Sequence, residues 1–223
     1  MGSSLLIKIA IWAIPVLFSI IIHEVAHGWM AYRLGDSTAK DMGRLTLNPA
    51  SHIDIIGTIV LPLMMLILGG PVFGWAKPVP FNPNNFHRHV DIRKGTMLVA
   101  SAGPGSNLII AFFFSFLFIF VLKFFSSFPH TIFTSLSQLT QALIYINLLL
   151  CCFNLIPIPP LDGSKILMGL LPTKYYNFFV MLERYGFLII IILLASGAFS
   201  NLIFGPVNFL FKVFLSIPLF LIN

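Results

Sequence analysis

One pentapeptide in this sequence has the residue types and spacing of a hydrolytic metal site: His23-Glu24-Val25-Ala26-His27. On a helix, residues four apart share a face, one turn or about 5.4 Å along the axis. Both imidazoles can therefore reach a single zinc ion. Glu24 projects roughly 100° away from His23, near enough to contact a water activated at the metal without being a ligand itself. There a carboxylate takes the water's proton and passes it to a leaving amine. With six His and two Glu among 223 residues, chance places H-E-x-x-H in about one such sequence in a thousand. Three ionisable groups near the end of an apolar helix are also costly unless they pair or ligate. The pattern reads as a metal site.

A zinc protease needs a third protein ligand and one open position. The extended pattern H-E-x-x-H-x-x-G-x-x-H is absent, because Met30 and Arg33 stand where its Gly and His would be. Glu183 lies beside Arg184 and reads as a surface pair. Asp36, Asp41, Asp54 and Asp91 lie in polar loops and read as solvated charges, as do His52, His87, His89 and His130. Asp162 differs. It ends the stretch Asn154-Leu-Ile-Pro-Ile-Pro-Pro-Leu-Asp162-Gly163, directly after an apolar run. Its three prolines break the helix, which at membrane depth is tolerated only inside protein or against a cavity. Asp162 is the expected third ligand.

The elements that must position these groups are membrane helices. The chain is 58% hydrophobic and only 9% charged, against about a quarter charged in soluble domains. Residues 9–32 carry no charge or imidazole outside the motif, and 97–122, 124–161 and 185–211 carry no charge at all. Each supplies the ~20 apolar residues that a crossing helix needs. The runs are continuous rather than alternating, which excludes an outer-membrane barrel. Cys151 and Cys152 are adjacent, so neither a disulfide framework nor a Cys-based zinc site is expected. The net charge of +6 is scattered, so no nucleic acid is expected as a partner.

The expected fold is an all-α polytopic membrane protein with about five to six transmembrane helices. Candidates are 5–34, 97–123, 136–156, 184–198 and 202–222. A re-entrant or short segment covers 55–68, and Gly74 to Phe86 forms an extended Pro-rich loop. One membrane-embedded domain, 1–223, is expected, with a catalytic core of about 5–175 and accessory C-terminal helices at about 178–223. If 55–68 dips in and returns, Arg33, Lys40, Arg44, Lys77, Arg88, Arg93, Lys94, Lys165 and Lys174 all lie on one side. Lys8 and Lys123 lie opposite. The positive-inside rule then makes the rich side cytoplasmic and puts the N-terminus outside. Two crossings, 97–123 and 136–156, also return Asp162 to the depth of the histidines. Zinc geometry and charge bias select the same topology.

These features together resemble the site-2 protease family of intramembrane zinc metalloproteases, in its compact bacterial and archaeal branch. The resemblance rests on His23-Glu24-x-x-His27 and on Asn154…Pro157-x-Pro159…Leu161-Asp162-Gly163. It extends to Gly43-Arg44-Leu45-Thr46-Leu47-Asn48-Pro49, Gly74-Trp75-Ala76-Lys77-Pro78-Val79-Pro80 and Gly103-Pro104-Gly105-Ser106-Asn107, covering roughly residues 15–175. It implies one Zn2+ per chain, held towards the cytoplasmic side by His23, His27 and Asp162, with Glu24 as general base. It also implies that Asn154 positions substrate or stabilises the oxyanion. No insert is long enough for a PDZ domain, and there is no cystathionine-synthase-type tail, so control by such domains is not expected.

The reaction expected is hydrolysis of a peptide bond within or next to a transmembrane segment of a membrane protein, in the cell's inner (plasma) membrane. Helices hide their peptide bonds, so the substrate must unwind locally. Lys77, Pro78, Val79 and Pro80 are candidate substrate contacts, through pairing with the extended chain. Asn107 is a further candidate, for binding an exposed carbonyl, although Gly103-Pro104-Gly105 beside it reads first as a close helix contact. Partners are a substrate's transmembrane helix and the bilayer, with room for a homo-oligomer or a regulatory membrane partner. Family resemblance implies membrane-tethered transcription factors, anti-sigma factors or signal-peptide remnants as substrates. Two other classes fit the sequence less well. A non-catalytic scaffold of the same fold has no need of Glu24, and a metal transporter would carry further ligands along several helices, which 97–123 and 184–198 lack.

Overall fold

A computed structural model describes residues 5–67 and 76–222. Its regular elements among those residues are all helices, and five of them are long and apolar enough to cross a membrane. They are α1 (Leu5–Arg33), α4 (Ile92–Phe124), α5 (His130–Asn154), α7 (Tyr176–Ala195) and α8 (Ala198–Ile222). Between them lie the short helices α2 (Thr38–Asp41), α3 (Leu61–Ile67) and α6 (Asp162–Leu170). Four of these helices, α4, α5, α7 and α8, start earlier than the apolar runs indicate. The Thr131 to Ser137 stretch lies within α5, where Thr134 Oγ1 donates to the His130 carbonyl at 2.7 Å. Helix α7 takes in the Glu183-Arg184 pair rather than starting at it.

Helices α1, α4 and α5 pack together, α6 lies against α4, and α8 covers α4 and α5. The largest buried cluster joins Ala111, Ile144, Leu148 and Val207 across α4, α5 and α8, with Ile190 of α7. Outward faces remain apolar: Ile109 is 71% exposed, Phe113 66% and Leu188 55%. Lipid covers such surfaces where water would not.

The described helical part of the segment after His52 is too short to cross. This part, Ile55–Val60 continuing into α3, is 13 residues long, at most about 20 Å against the ~30 Å of a hydrocarbon core. The return is direct, since the Lys77 N–H donates to the His52 carbonyl at 2.9 Å. A chain that leaves at His52 and is back at Lys77 makes no net crossing. Asp54 starts the excursion, accepting from the Gly57 N–H at 2.7 Å as an N-cap does. Gly69-Gly70-Pro71, Gly74 and Trp75 lie outside the described residues. Residues 76–82, the extended segment expected from the prolines, form neither helix nor strand, and Asn82 has extended backbone angles.

Three loop residues expected to be solvated are built into the structure instead. Asp36 is fully buried. It accepts from Thr38 Oγ1 at 2.5 Å, Asn82 N at 2.6 Å and Asn85 Nδ2 at 2.9 Å, tying the end of α1 to the extended segment. His52 is also buried, with Nε2 at 2.8 Å from the Thr46 carbonyl. Asp54 is the cap just described. These loops fold back onto the helix ends, so their polar groups find partners in protein rather than water.

Burial alone would raise the Asp36 carboxyl, but the hydrogen bonds from Thr38, Asn82 and Asn85 hold it below the ordinary carboxylate range. Its stabilisation is therefore complete above the unfolded value of about 3.9 and is lost as pH falls through the lower folded value. Wild type is expected to be more stable than Asp36→Asn at pH 6, with the gap closing as the pH falls below the ordinary carboxylate range. Thermal unfolding of the purified proteins in detergent checks this.

Candidate metal centre

Helix α1 carries His23 and His27 on the face turned to α4, and both rings are buried. The Asp162 side chain arrives from the far end of the chain. Helix α5 ends at Asn154, the proline-rich turn carries the chain across, and α6 begins at Asp162 itself. Two contacts fix α6. Gly163 lies so close to the Leu155 and Ile156 backbone that a Cβ there would meet the Ile156 carbonyl oxygen at 2.6 Å. At the other end, Arg93 of α4 donates to the Gly169 carbonyl at 3.2 Å and also to the Leu171 carbonyl.

Three ligand atoms converge as a result. His23 Nε2 lies 3.1 Å from Asp162 Oδ2, His27 Nε2 lies 3.2 Å from it, and the two Nε2 atoms are 3.0 Å apart. A tetrahedral zinc with ligand bonds of about 2.0–2.1 Å separates its ligand atoms by about 3.3 Å. The protonation states agree with that fit. His27 Nδ1 faces the Val99 carbonyl at 2.7 Å, which can only accept, so Nδ1 carries the proton. His23 Nδ1 faces Asn107 Oδ1 at 2.5 Å. The Asn107 amide is oriented by its Nδ2, which donates to the Ser19 carbonyl at 3.3 Å and to Asn147 Oδ1 at 2.8 Å. His23 must then donate as well. With Nδ1 protonated, each neutral ring presents its lone pair at Nε2, and Asp162 Oδ2 is buried without a hydrogen bond. Three acceptors this close, held by outer hydrogen bonds, call for a cation. The residues fit zinc. Among the described residues this is the one such His/Cys/Asp/Glu group.

The ligands line a cavity of about 170 Å³. Its polar wall is His23, Glu24, His27, Asn154, Asp162 and Lys165, faced by Pro78, Val79 and Phe81 of the extended segment. A helix about 10–12 Å across cannot enter such a space, whereas an extended peptide can. Glu24 is half-buried, and its Oε2 accepts from the Val79 N–H at 2.8 Å. Asn154 also lines the cavity, with Nδ2 donating to the Leu150 carbonyl at 3.0 Å. The extended segment is fixed in advance. Arg44 is buried and donates to the carbonyls of Lys77 at 2.7 Å and Pro78 at 3.3 Å.

Not every expected contact is at the cavity. Lys77 is exposed and Pro80 does not line it. Asn107 sits behind His23, wholly buried, with its amide turned to His23, Asn147 and Ser19 rather than to the cavity. Sequence reading missed Ser19, Asn147, Arg44 and the cavity position of Lys165. The available signal was that Ser19 and Asn147 are polar side chains at membrane depth, where a partner is needed. Asn107→Leu is expected to weaken zinc binding by about 10–100-fold, as loss of an outer hydrogen bond to a metal-ligating histidine does. Chelator competition on the purified protein measures it.

Comparison with known proteins identifies the family. The family model described as peptidase family M50 matches residues 11–194. The chain is similar to relatives that bear the name "Putative zinc metalloprotease". YwhC of Bacillus subtilis (strain 168) is 38% identical over 195 residues, covering 87% of this chain and 84% of its own. Rip2 of Mycolicibacterium smegmatis (strain ATCC 700084 / mc(2)155) is 30% identical over 195 residues, covering 87% of this chain and 70% of its own. No solved structure matches. With most of its length matched by the family model, this multi-pass helical chain belongs to peptidase family M50.

Proposed function

We propose that this peptidase is a zinc enzyme that hydrolyses peptide bonds within or next to transmembrane segments of membrane proteins. The observation that carries the reading is the convergence of His23 Nε2, His27 Nε2 and Asp162 Oδ2 at the end of a membrane-spanning helix, in a cavity sized for an extended peptide. Those three residues would hold the ion. When bound, zinc supplies the Lewis acidity that polarises a peptide carbonyl and acidifies a water.

The remaining work falls to the chain's own groups. Glu24 takes a proton from the attacking water at its carboxylate and later delivers it to the leaving amine. The Val79 N–H holds one Glu24 oxygen and leaves the other for that transfer. Asn154, at the cavity wall, orients the substrate amide. Pro78 and Val79 form the opposite wall. The N–H groups of Lys77 and Val79 are engaged by His52 and Glu24, and Arg44 holds the Lys77 and Pro78 carbonyls. Pairing with an unwound substrate therefore falls to the backbone beyond the Val79 N–H. The site faces the cytoplasm on this reading, because the cation-rich loops gather at its end of the helices.

The test is co-reconstitution with a single-span substrate and mass analysis of the products. Cuts within the span or within a few residues of it support the proposal. Cuts confined to remote soluble regions, or none from a zinc-loaded protein across a broad panel, count against it.

A further inference from the structure

We propose that Lys165 is a catalytic residue of this site, its ammonium receiving the scissile carbonyl oxygen as that oxygen becomes negative. The proposal rests on the protease reading above.

Lys165 stands one turn along α6 from Asp162, on the same face of the helix. Of the other cations at this end of the protein, Arg33, Lys40, Lys77, Arg88 and Lys94 are exposed, while Arg44 and Arg93 are engaged by backbone carbonyls. Lys165 is half-buried and lines the cavity with the metal-binding triad and Glu24. Its one contact given by the structure is loose, with Nζ 5.9 Å from the centroid of the Phe81 ring, near the outer limit of a cation–π interaction. No carboxylate partner for it occurs among the described residues. Phe81 belongs to the extended segment, so the ammonium spans the gap between the helix that presents Asp162 and the wall against which a peptide must lie.

The other polar groups in the cavity already have partners or roles. His23, His27 and Asp162 face one another, Glu24 is tied to Val79, and Asn154 already donates one N–H to Leu150. Lys165 is the one full positive charge that the protein itself brings to the wall. As the water oxygen bonds to the carbonyl carbon, the C=O π pair moves onto the carbonyl oxygen and Glu24 takes the proton. When the C–N bond breaks, that pair re-forms the carbonyl and the amine leaves with the proton from Glu24. Lys165 gains and loses no proton. It stabilises the charge only while the charge exists, which is where a fixed donor accelerates a reaction.

The experiment compares wild type, Lys165→Met and Lys165→Arg in proteoliposomes. It measures kcat and KM on a single-span substrate, zinc per chain, and affinity for a phosphinic peptide whose tetrahedral anion mimics the oxyanion. Lys165→Met is expected to lower kcat by about 10²–10³-fold and to weaken phosphinic-peptide binding by a similar factor. KM and zinc content stay near wild type, and Lys165→Arg recovers kcat to within about tenfold. Unchanged kcat in Lys165→Met overturns the proposal, as does zinc loss. A defect confined to KM on substrates with acidic residues near the cut also overturns it, making Lys165 a specificity residue. Zinc-loaded wild type that cleaves nothing sinks the protease reading and this proposal with it. Active wild type beside an equally active Lys165→Met sinks this proposal alone.

Discussion

Substituting Asp162 with alanine is expected to remove the metal and the activity together. The two imidazoles that remain are neutral donors whose Nε2 atoms lie 3.0 Å apart. Without the carboxylate they offer zinc two ligands and no negative charge. The loss in affinity should exceed the ~100-fold that follows from losing an outer-shell partner, leaving dialysed protein without stoichiometric zinc and cleavage at background. The fold should survive. Helix α6 is held at its start by the close approach of Gly163 to the Leu155–Ile156 backbone and at its end by Arg93, and neither contact needs the carboxylate. Metal analysis alongside helical content by circular dichroism separates loss of the ion from loss of the protein. Full zinc in Asp162→Ala would mean that another residue completes the site.

The second large effect is expected at Gly103, which carries no functional group. A methyl group there would lie 2.5 Å from His27 Cε1 and 2.6 Å from His23 Cε1, and closer still to His27 Nε2. Such distances cannot be tolerated, so either both rings tilt or α4 parts from α1. The rings are pinned from behind by Asn107 and the Val99 carbonyl, and any tilt breaks those bonds. A displacement of about 1 Å costs about 10²-fold in rate even when every group is present. Gly103→Ala should therefore lose zinc affinity and at least that much activity. Gly105, two residues on, is the control, because a Cβ there meets nothing within 4 Å. Gly105→Ala is expected to keep full zinc and activity and, as alanine favours helix over glycine, to be no less stable. Equal behaviour of the two alanine variants would contradict the placement of the imidazoles against α4.

The contrast between these two glycines marks what a sequence carries and what it does not. A spacing of four places His23 and His27 on one face of any helix, so the pair is legible without knowing the packing. Asp162 is legible because three prolines, ruinous in an ordinary membrane helix, stop α5 just before a carboxylate. The excursion after His52 is legible from its shortness and from the charge bias it rescues. The Ser19–Asn147–Asn107–His23 chain of hydrogen bonds is different. It exists only because α1, α4 and α5 are rotated to bring polar groups 84 and 128 residues apart into contact, and no local pattern encodes that rotation. Gly103 reads as a helix contact, and only the structure shows that the contact is with the ligands. Lys165 was one cation among several marking a membrane face. Asp36 and His52 looked solvated because loops usually are, until the fold turned those loops onto the helix ends.

The central claim is that the triad holds zinc while Glu24 performs proton transfer without ligating it. Zinc content and cleavage of a co-reconstituted single-span substrate, measured together on wild type and Glu24→Gln, test it most directly. The account predicts one zinc per chain in both proteins, with cleavage by Glu24→Gln reduced by about 10²–10⁴-fold. Zinc lost along with activity would make Glu24 a ligand, and activity kept in Glu24→Gln would remove it from the chemistry altogether.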